Sequence, residues 1–558
     1  MFGIRWLRWA VRSLLGLVAA LPVGAVAIAA VIDFGPDGEG RISALPIALR
    51  VSSDFTWTCA RNSLTFAGLI AALSLVLGLG IGRTLAAIPG RGRALARVAV
   101  GTILAAPPAC LALGWIGLLA WPLHWPLAMR RAVVGIPALE SLAGWPSWLL
   151  WIASTAPPVV ALVALATARA FEEIDPEWTA AARLAGAGRF AAWRSVTWPI
   201  VRPAAARAAA AAFALALLEP GVPILLGLRR TLAFQIVEAA TGSDPFPATA
   251  IWAVFAAILS FAGRWLLRSW GGPRPIGSRT ISRHSSTGPV TTIAAASIVT
   301  VTSALGWLPV FGCLALLISS GANQSILMET IASEPVREAA TRSLVLGLEV
   351  GAAVLILAWL ARPEPSPRGS SAPLSRVSRR LARVPPMIQG VGLLAVLELL
   401  AHRLEPAIGF ELSAERNPWP LLASAVGISV GSQLLAGWWQ AEGQRLERAR
   451  SSVDAAILAG ASPARARSLA ARHRLGWLGV LSLAILLPAV NLVPALFFCP
   501  WTDVRPMAPE FLILAESNPR AQTQAAALAC GLIVLNLVAL AASRLSPAPP
   551  PEWETQPD

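Results

Sequence analysis

The sequence predicts an all-α membrane protein of about twelve spanning helices, arranged as two homologous halves of about six helices each. Hydrophobic residues make up 56% of the 558 residues and charged residues only 13%, whereas soluble globular proteins carry about 25% charged residues. The net charge of +15 comes from arginines that flank apolar segments. This distribution is typical of cytoplasmic loops between membrane spans and does not indicate nucleic-acid binding. The predicted surroundings of the chain are therefore a lipid bilayer.

The first half, residues 1–268, contains about six apolar runs. Arginines precede the first run, residues 13–32, which is long for a signal peptide and favours an uncleaved span. Small residues near position 30 keep a cleaved signal as the alternative. The other predicted spans cover residues 62–87, 98–119, 148–170, 204–226 and 248–267. Arg91, Arg93 and Arg97 follow the second span and mark that loop as cytoplasmic.

A connector rich in Gly, Pro, Ser and Arg, residues 269–292, separates this half from the second half, residues 293–545. Its composition is typical of a cytoplasmic linker. Predicted spans of the second half cover residues 293–319, 341–361, 385–402, 419–439, 476–498 and 523–543. A proline-rich tail, residues 546–558, follows them. This arrangement places both termini in the cytoplasm.

Local sequence matches between the halves indicate an internal duplication. Asn62-Ser63-Leu64 in the first half corresponds to Arg342-Ser343-Leu344 in the second. The segment that ends at Gly186 corresponds in the same way to the segment that ends at Gly460. The two matches have nearly the same offset along the chain, as expected if an ancestral unit was repeated.

The polar segment 175–199 in the first half predicts two short helices joined by a glycine. Asp175 is a good N-cap, and Pro176 suits the first helical position, where its missing N–H costs nothing. Gly186 can adopt the left-handed conformation that ends a helix. We expect the second helix to reach Trp198 and to end at Pro199.

This segment also carries a recognisable motif. Ala180-Ala181-Ala182 is followed after three residues by Gly186, and after nine more by Val196-Thr197-Trp198-Pro199. The pattern resembles the EAA loop of ABC-transporter permeases that work with a periplasmic binding protein. The fused double layout is similar to the iron(III) and thiamine branch, as are residues 230–237 and Asp244-Pro245. The resemblance therefore implies the fold of a type I ABC importer permease.

The same resemblance implies how the protein works. In such permeases the loop docks on a separate ATPase subunit, which uses ATP and moves the spans, while a periplasmic solute-binding protein delivers iron(III) or a similar small solute. The permease itself binds no cofactor and lies in the bacterial inner membrane. The residues implied for the first coupling loop are Glu177, Ala180, Ala181, Ala182, Gly186 and Pro199. Those implied for the second coupling loop are Asp454, Ala455, Ala456 and Gly460.

The two loops depart from the family pattern in different ways. Ala180 stands where the family has a glutamate, and Glu177, three residues earlier on the same helical face, is placed to substitute for it. In the second loop Asp454 retains the acid, but Arg472 and His473 stand where an aliphatic residue and the proline would be. We therefore expect the two loops to dock unequally.

Glu219 lies among prolines and glycine in the fifth predicted span, where a carboxylate either borders the transport pathway or forms a structural contact. The sequence predicts no catalytic residues and no metal site, because it has no phosphate-binding loop and its histidines and cysteines are dispersed. Two other transporter interpretations remain open: an ion-coupled secondary transporter with two six-helix halves and a degenerate permease-like protein. A membrane-embedded enzyme would need clustered His, Asp or Glu at one membrane face, which this sequence lacks.

Overall fold

The computed structural model describes most of the first half and part of the second. The described residues are 21–34, 40–43, 45–124, 147–241, 248–272, 289–319, 324–360, 387–396, 505–516 and 519–544, without 23 and 390, together with Ala423 and Val426. They are mostly helical. The second coupling loop, most of the central linker and the predicted spans 419–439 and 476–498 lie outside these residues.

Among the described residues, seven helices are long and apolar enough to cross a membrane, and a bent helix pair would make eight. Helices suit this environment because they satisfy every internal backbone hydrogen bond within one segment, where no water can do so. The chain is therefore a helical, multi-pass membrane protein. The expected total of about twelve spans stays a prediction.

The chain before the first long helix contains a short two-stranded ribbon. Strands β1 (Ile32–Phe34) and β2 (Gly40–Ile42) pair antiparallel, with Asp33 opposite Arg41. Helix α1 (Leu45–Val51) follows. Helix α2 (Asp54–Ala87) then begins well before the predicted start of its span at position 62. Its first turns bring polar residues into the helix, which hydropathy alone did not indicate.

The third predicted span, residues 98–119, is wrong as one continuous helix. Helices α3 (Gly90–Ile103) and α4 (Pro108–His124) meet at a bend of 80°. The last turn of α3 tightens, because the N–H groups of residues 104–106 donate to carbonyls three residues back. Pro107 and Pro108 lack the N–H groups that a continuous helix would need there. The adjacent prolines therefore account for the break.

The next two predicted spans are present with extended ends. Helix α5 (Ser147–Glu172) contains the predicted span 148–170, and the hairpin helices α6 (Pro176–Leu184) and α7 (Arg189–Ala192) follow it. A π-helical segment (Trp193–Thr197) then leads into α8 (Trp198–Leu218), which is separated by two residues from α9 (Gly221–Leu225).

Five further helices complete the first half and cover parts of the second. Their bounds are α10 (Leu232–Ala240), α11 (Ala248–Gly271), α12 (Pro289–Ser319), α13 (Gln324–Ala332) and α14 (Glu334–Leu360). Near the C-terminus come α15 (Met507–Glu516) and α16 (Pro519–Arg544). Helices α11, α12, α14 and α16 overlap the spans predicted at 248–267, 293–319, 341–361 and 523–543.

The described residues fall into two compact units, the larger within 30–337 and 510–533 and the smaller within 1–29, 338–509 and 534–558. In the larger unit, α2 and α5 pack along their length, and the Thr167 hydroxyl of α5 donates to the Gly78 carbonyl oxygen of α2 at 3.2 Å. Helix α4 packs on α12, where a Cβ atom added to Gly114 would overlap the Pro309 carbonyl. These close approaches need small residues at the helix contact.

The smaller unit contains contacts of the same kinds. A Cβ atom added to Gly392 would overlap the Pro22 carbonyl. The Met507 N–H donates to the buried Ser343 hydroxyl at 2.8 Å. In the larger unit, the Leu232 N–H donates to the buried Ser63 hydroxyl, also at 2.8 Å.

Candidate coupling surface

The polar hairpin between α5 and α8 forms because its turn chemistry is encoded locally. The Asp175 side chain accepts from the Glu177 N–H at 2.9 Å and caps α6, as predicted. At the other end Gly186 has φ +90°, the left-handed conformation predicted for it. The N–H of Ala187 then donates to the Ala182 carbonyl at 3.0 Å and closes the helix end.

The side of α6 that faces away from the protein is apolar in its second half. Glu177, Ala180, Ala181 and Leu184 are spaced at helical intervals of three and four residues, so they share one face. All four are exposed, and the Leu184 side chain is 90% exposed. An apolar stripe that faces outward instead of toward the core is typical of an interaction surface.

Helix α7 extends this apolar surface beyond the turn. Phe190 is 72% exposed and Trp178 is 42% exposed, whereas Ala192 is buried. We call the exposed residues of α6 and α7 the coupling surface; they are Glu177, Trp178, Ala180, Ala181, Arg183, Leu184, Arg189, Phe190 and Ala191. Ala182, which was predicted with this set, is half-buried.

The expected end of the second helix at Pro199 is wrong. The Trp198 N–H donates to the Trp193 carbonyl five residues back, and the helix continues without interruption from Arg189 to Leu218. Pro199 occupies the first turn of α8, and its missing N–H is tolerated because the wider π turn has already changed the hydrogen-bond register. The second helix of the hairpin is thus continuous with the spanning helix α8.

Four aromatic rings connect the hairpin with the end of α11. Phe190 stacks on Trp193 with ring centroids 6.0 Å apart, and Trp193 stacks on Trp198 at 5.3 Å. Trp198 contacts Trp270 of α11 at 5.5 Å. Beside this stack, the Arg202 Nε donates to the Gly271 carbonyl at 3.1 Å. The end of the hairpin that enters α8 is therefore fixed to α11 by both apolar and polar contacts.

The other end of the hairpin is held by an ion cluster. Glu172, the last residue of α5, pairs with Arg97 of α3, and its carboxylate lies 3.7 Å from Arg93 Nη1. The Arg93 Nε also donates to the Ile88 carbonyl at 2.7 Å. All three side chains are partly exposed, so this cluster adds little to the free energy of unfolding. Its main effect is to fix the end of α5 against α3. One end of the hairpin is thus tied to α11, which is long enough to span a membrane, and the other end is tied to α3, the first part of the bent helix pair.

Glu219 lies at the break between α8 and α9, as its proline-rich surroundings predicted. One carboxylate oxygen accepts from the Gly221 N–H at 3.1 Å and the other from the Val222 N–H at 3.0 Å. These bonds satisfy donors at the start of α9 that have no partner within that helix. Both oxygens therefore have structural partners, and a pathway role for Glu219 stays a prediction.

Sequence reasoning missed several residues of the surface and its supports. The outward position of Leu184 and Phe190 depends on how the hairpin folds back, and no residue pattern indicated it. The partnership of Glu172 with Arg93 and Arg97 joins residues that are distant in sequence. Its only sequence signal was the acidic pair Glu172-Glu173 just after a predicted span. The predicted second-loop residues Asp454, Ala455, Ala456 and Gly460 lie outside the described part of the chain.

Neither a protein-family model nor a curated protein matches this chain. The fold defines the class: a multi-pass membrane protein of apolar helices. Within that class, the geometry identifies a rigidly held hairpin whose outer face is apolar and exposed.

Proposed function

We propose that the chain is the transmembrane permease subunit of a bacterial ABC importer, forming the substrate pathway and coupled through the hairpin to a separate ATPase subunit. The observation that carries the proposal is the outward apolar stripe of α6 on a hairpin whose two ends are fixed to α3 and α11 and continue into the long apolar helices α5 and α8. When a partner covers an exposed leucine, apolar surface is removed from water and the free energy of the complex is lowered. A force on such a hairpin reaches α5, α8 and α11 together because its supports are direct contacts.

The matched contacts of the two units support the proposed duplication. Ser63 and Ser343, which the sequence aligns between the halves, each accept from the first N–H of a helix. The donors, Leu232 and Met507, are separated along the chain by nearly the same interval as the two serines. A repeated permease half supplies two such junctions. The proposal accordingly includes about six spans in each half, with both termini cytoplasmic.

The proposal extends to the partners and the solute. ATP binds to the partner ATPase, a periplasmic binding protein delivers iron(III) or a similar small solute, and the inner membrane surrounds the spans. These details follow from the EAA-like motif at Ala180–Gly186 and the fused layout, and they are open to direct tests.

The test starts from the full chain purified from its native membrane with the ATPase subunit that accompanies it. Leu184→Arg places a charge in the apolar stripe, and we expect recovery of the ATPase subunit to fall about tenfold or more, as for a central interface residue. Leu95→Arg is the matched control, since Leu95 is also a strongly exposed leucine, at 70%. Recovered protein and its melting temperature are measured for each variant.

Three outcomes contradict the proposal. One is purification of the chain without an ATPase subunit together with ion-driven transport in vesicles, which identifies a secondary transporter. Another is equal ATPase recovery for the Leu184 and Leu95 variants. The third is the absence of ATP-dependent transport when the intact complex is reconstituted, which identifies a degenerate permease-like protein.

A further inference from the structure

The coupling surface has an unusual charge pattern for a hairpin whose family counterpart carries a glutamate. Segment 175–199 contains two acids and three arginines. Asp175 is used as the cap of α6. The arginines are Arg183, Arg189 and Arg194, and all three are exposed. Among the described residues, none of the three guanidinium groups forms an ion pair.

The arginines flank the apolar part of the surface. Arg183 precedes the exposed Leu184, and Arg189 precedes the exposed Phe190. Arg194 lies one turn further, in the π-helical segment. At the position where the family has an acid, the exposed side chain is the methyl group of Ala180. The surface is therefore apolar at its centre, with arginines on the side of the glycine turn and the acidic Glu177 at the start of α6.

We infer that this surface docks into an apolar cleft whose rim carries aspartate or glutamate on the ATPase subunit. The inference depends on the proposed function, which supplies the partner's identity as an ATPase. Covering Leu184 and Phe190 removes water from the neighbouring guanidinium groups, and a desolvated arginine needs a charged hydrogen-bond partner. A carboxylate is the group that fits a guanidinium with two parallel hydrogen bonds.

The geometry favours a protein cleft over a bilayer surface. A helix that lies on a membrane needs a wide apolar face with several large side chains. The large exposed apolar side chains of the coupling surface are Trp178, Leu184 and Phe190, and the outward face of α6 otherwise presents two alanines and the acidic Glu177. These two alanines permit close approach by a partner backbone, which a cleft of a folded protein supplies. A narrow face with small residues fits a cleft.

The test measures binding of the purified ATPase subunit to the full chain in nanodiscs of zwitterionic lipid. We expect Arg183→Glu combined with Arg189→Glu to raise the Kd at least about tenfold, because two attractive contacts become repulsive. Arg83→Glu combined with Arg229→Glu is the control with an equal charge change at exposed arginines outside the hairpin. Substitution of cleft acids by arginine in the ATPase subunit is expected to restore binding to the charge-reversed variant.

The outcomes separate this inference from the proposed function. If the charge-reversed variant binds as well as wild type while Leu184→Arg abolishes binding, the hairpin docks as proposed but the acidic rim is wrong. If neither change affects binding, docking occurs elsewhere and the proposed coupling role also fails. Hydrogen exchange of residues 176–192 in anionic nanodiscs without the ATPase subunit tests the bilayer. Protection of these residues from exchange in the absence of the ATPase subunit would contradict docking into a protein cleft.

Discussion

Ser63 and Ser343 make equivalent junctions in the two compact units, but their neighbours differ. Each serine is buried and accepts from the first N–H of a short helix, α10 in one unit and α15 in the other. Beside Ser63, the Asn62 amide donates to the Arg230 carbonyl at 3.1 Å and adds a second link to the same segment. Beside Ser343, Arg342 pairs with Glu338 of its own helix at 2.8 Å. The buried serine is thus the shared feature, whereas the residue before it differs, Asn62 in one unit and Arg342 in the other.

This difference has a physical reason. The first N–H groups of a helix lack partners within it, and a buried unsatisfied N–H costs about 1–3 kcal/mol. The serine hydroxyl removes that cost at both junctions. The adjacent side chain is partly exposed in both units, so an asparagine and an arginine are both tolerated there.

The largest effect should come from the helix crossings at Gly114 and Gly392. Leucine at either position would collide with a proline carbonyl, Pro309 in one unit and Pro22 in the other. Because backbone cannot move aside cheaply, we expect each variant to lose about 3 kcal/mol of unfolding free energy or to fail to purify. Fluorescence-detected size exclusion and thermal melting measure this. Gly80→Leu is the control, since nothing lies within 4 Å of its added Cβ atom; equal behaviour of all three variants would show that the crossings are loose.

An intermediate effect is expected at the serines themselves. Ser63→Ala and Ser343→Ala each leave a buried N–H without its acceptor, so each should lower the unfolding free energy by about 1–3 kcal/mol. Similar losses would support the equivalence of the two junctions, and a loss at only one serine would contradict it. Ser52→Ala serves as the control because the Ser52 hydroxyl bonds to the nearby Leu49 carbonyl at an exposed site. Denaturation in mixed micelles gives the values.

The smallest effect separates the two junctions. Asn62→Ala removes a hydrogen bond between distant segments and should cost about 1 kcal/mol. Glu338→Gln removes a partly exposed ion pair within one helix and should cost about 0.3–0.5 kcal/mol. Raising the salt concentration should reduce the loss of unfolding free energy caused by Glu338→Gln, because salt screens the ion pair. It should leave the loss caused by Asn62→Ala unchanged. A larger loss for Glu338→Gln than for Asn62→Ala would contradict a stabilising role for the hydrogen bond between Asn62 and Arg230.

The parts of the fold that depend on neighbouring residues could be predicted from sequence. The cap at Asp175, the helix end at Gly186 and the break at Glu219 each follow from residues within a few positions. The bend between α3 and α4 had a local signal too, the adjacent Pro107 and Pro108, but hydropathy averaged across it.

The candidate site was less predictable because its important properties are tertiary. The motif indicated a hairpin and its alanines, but the exposure of Leu184 depends on which side of α6 faces the protein. The π-helical segment at Trp193–Thr197 is accompanied by ring contacts with Trp270, which is distant in sequence. The rule that a proline ends a helix placed an end at Pro199, whereas the helix continues through it after the π-helical segment.

The π-helical segment has a geometric consequence for the whole hairpin. It carries one more residue per turn than its α-helical neighbours, and each residue of an α-helix turns the chain by about 100°. The extra residue thus sets the angular phase between α7 and α8. Removing one residue between Trp193 and Thr197 would restore α-helical geometry and rotate α7 by about a quarter of a revolution around the axis of α8. Phe190 would then leave its stack on Trp193, and the direction of the coupling surface relative to α8 would change without alteration of any residue on that surface.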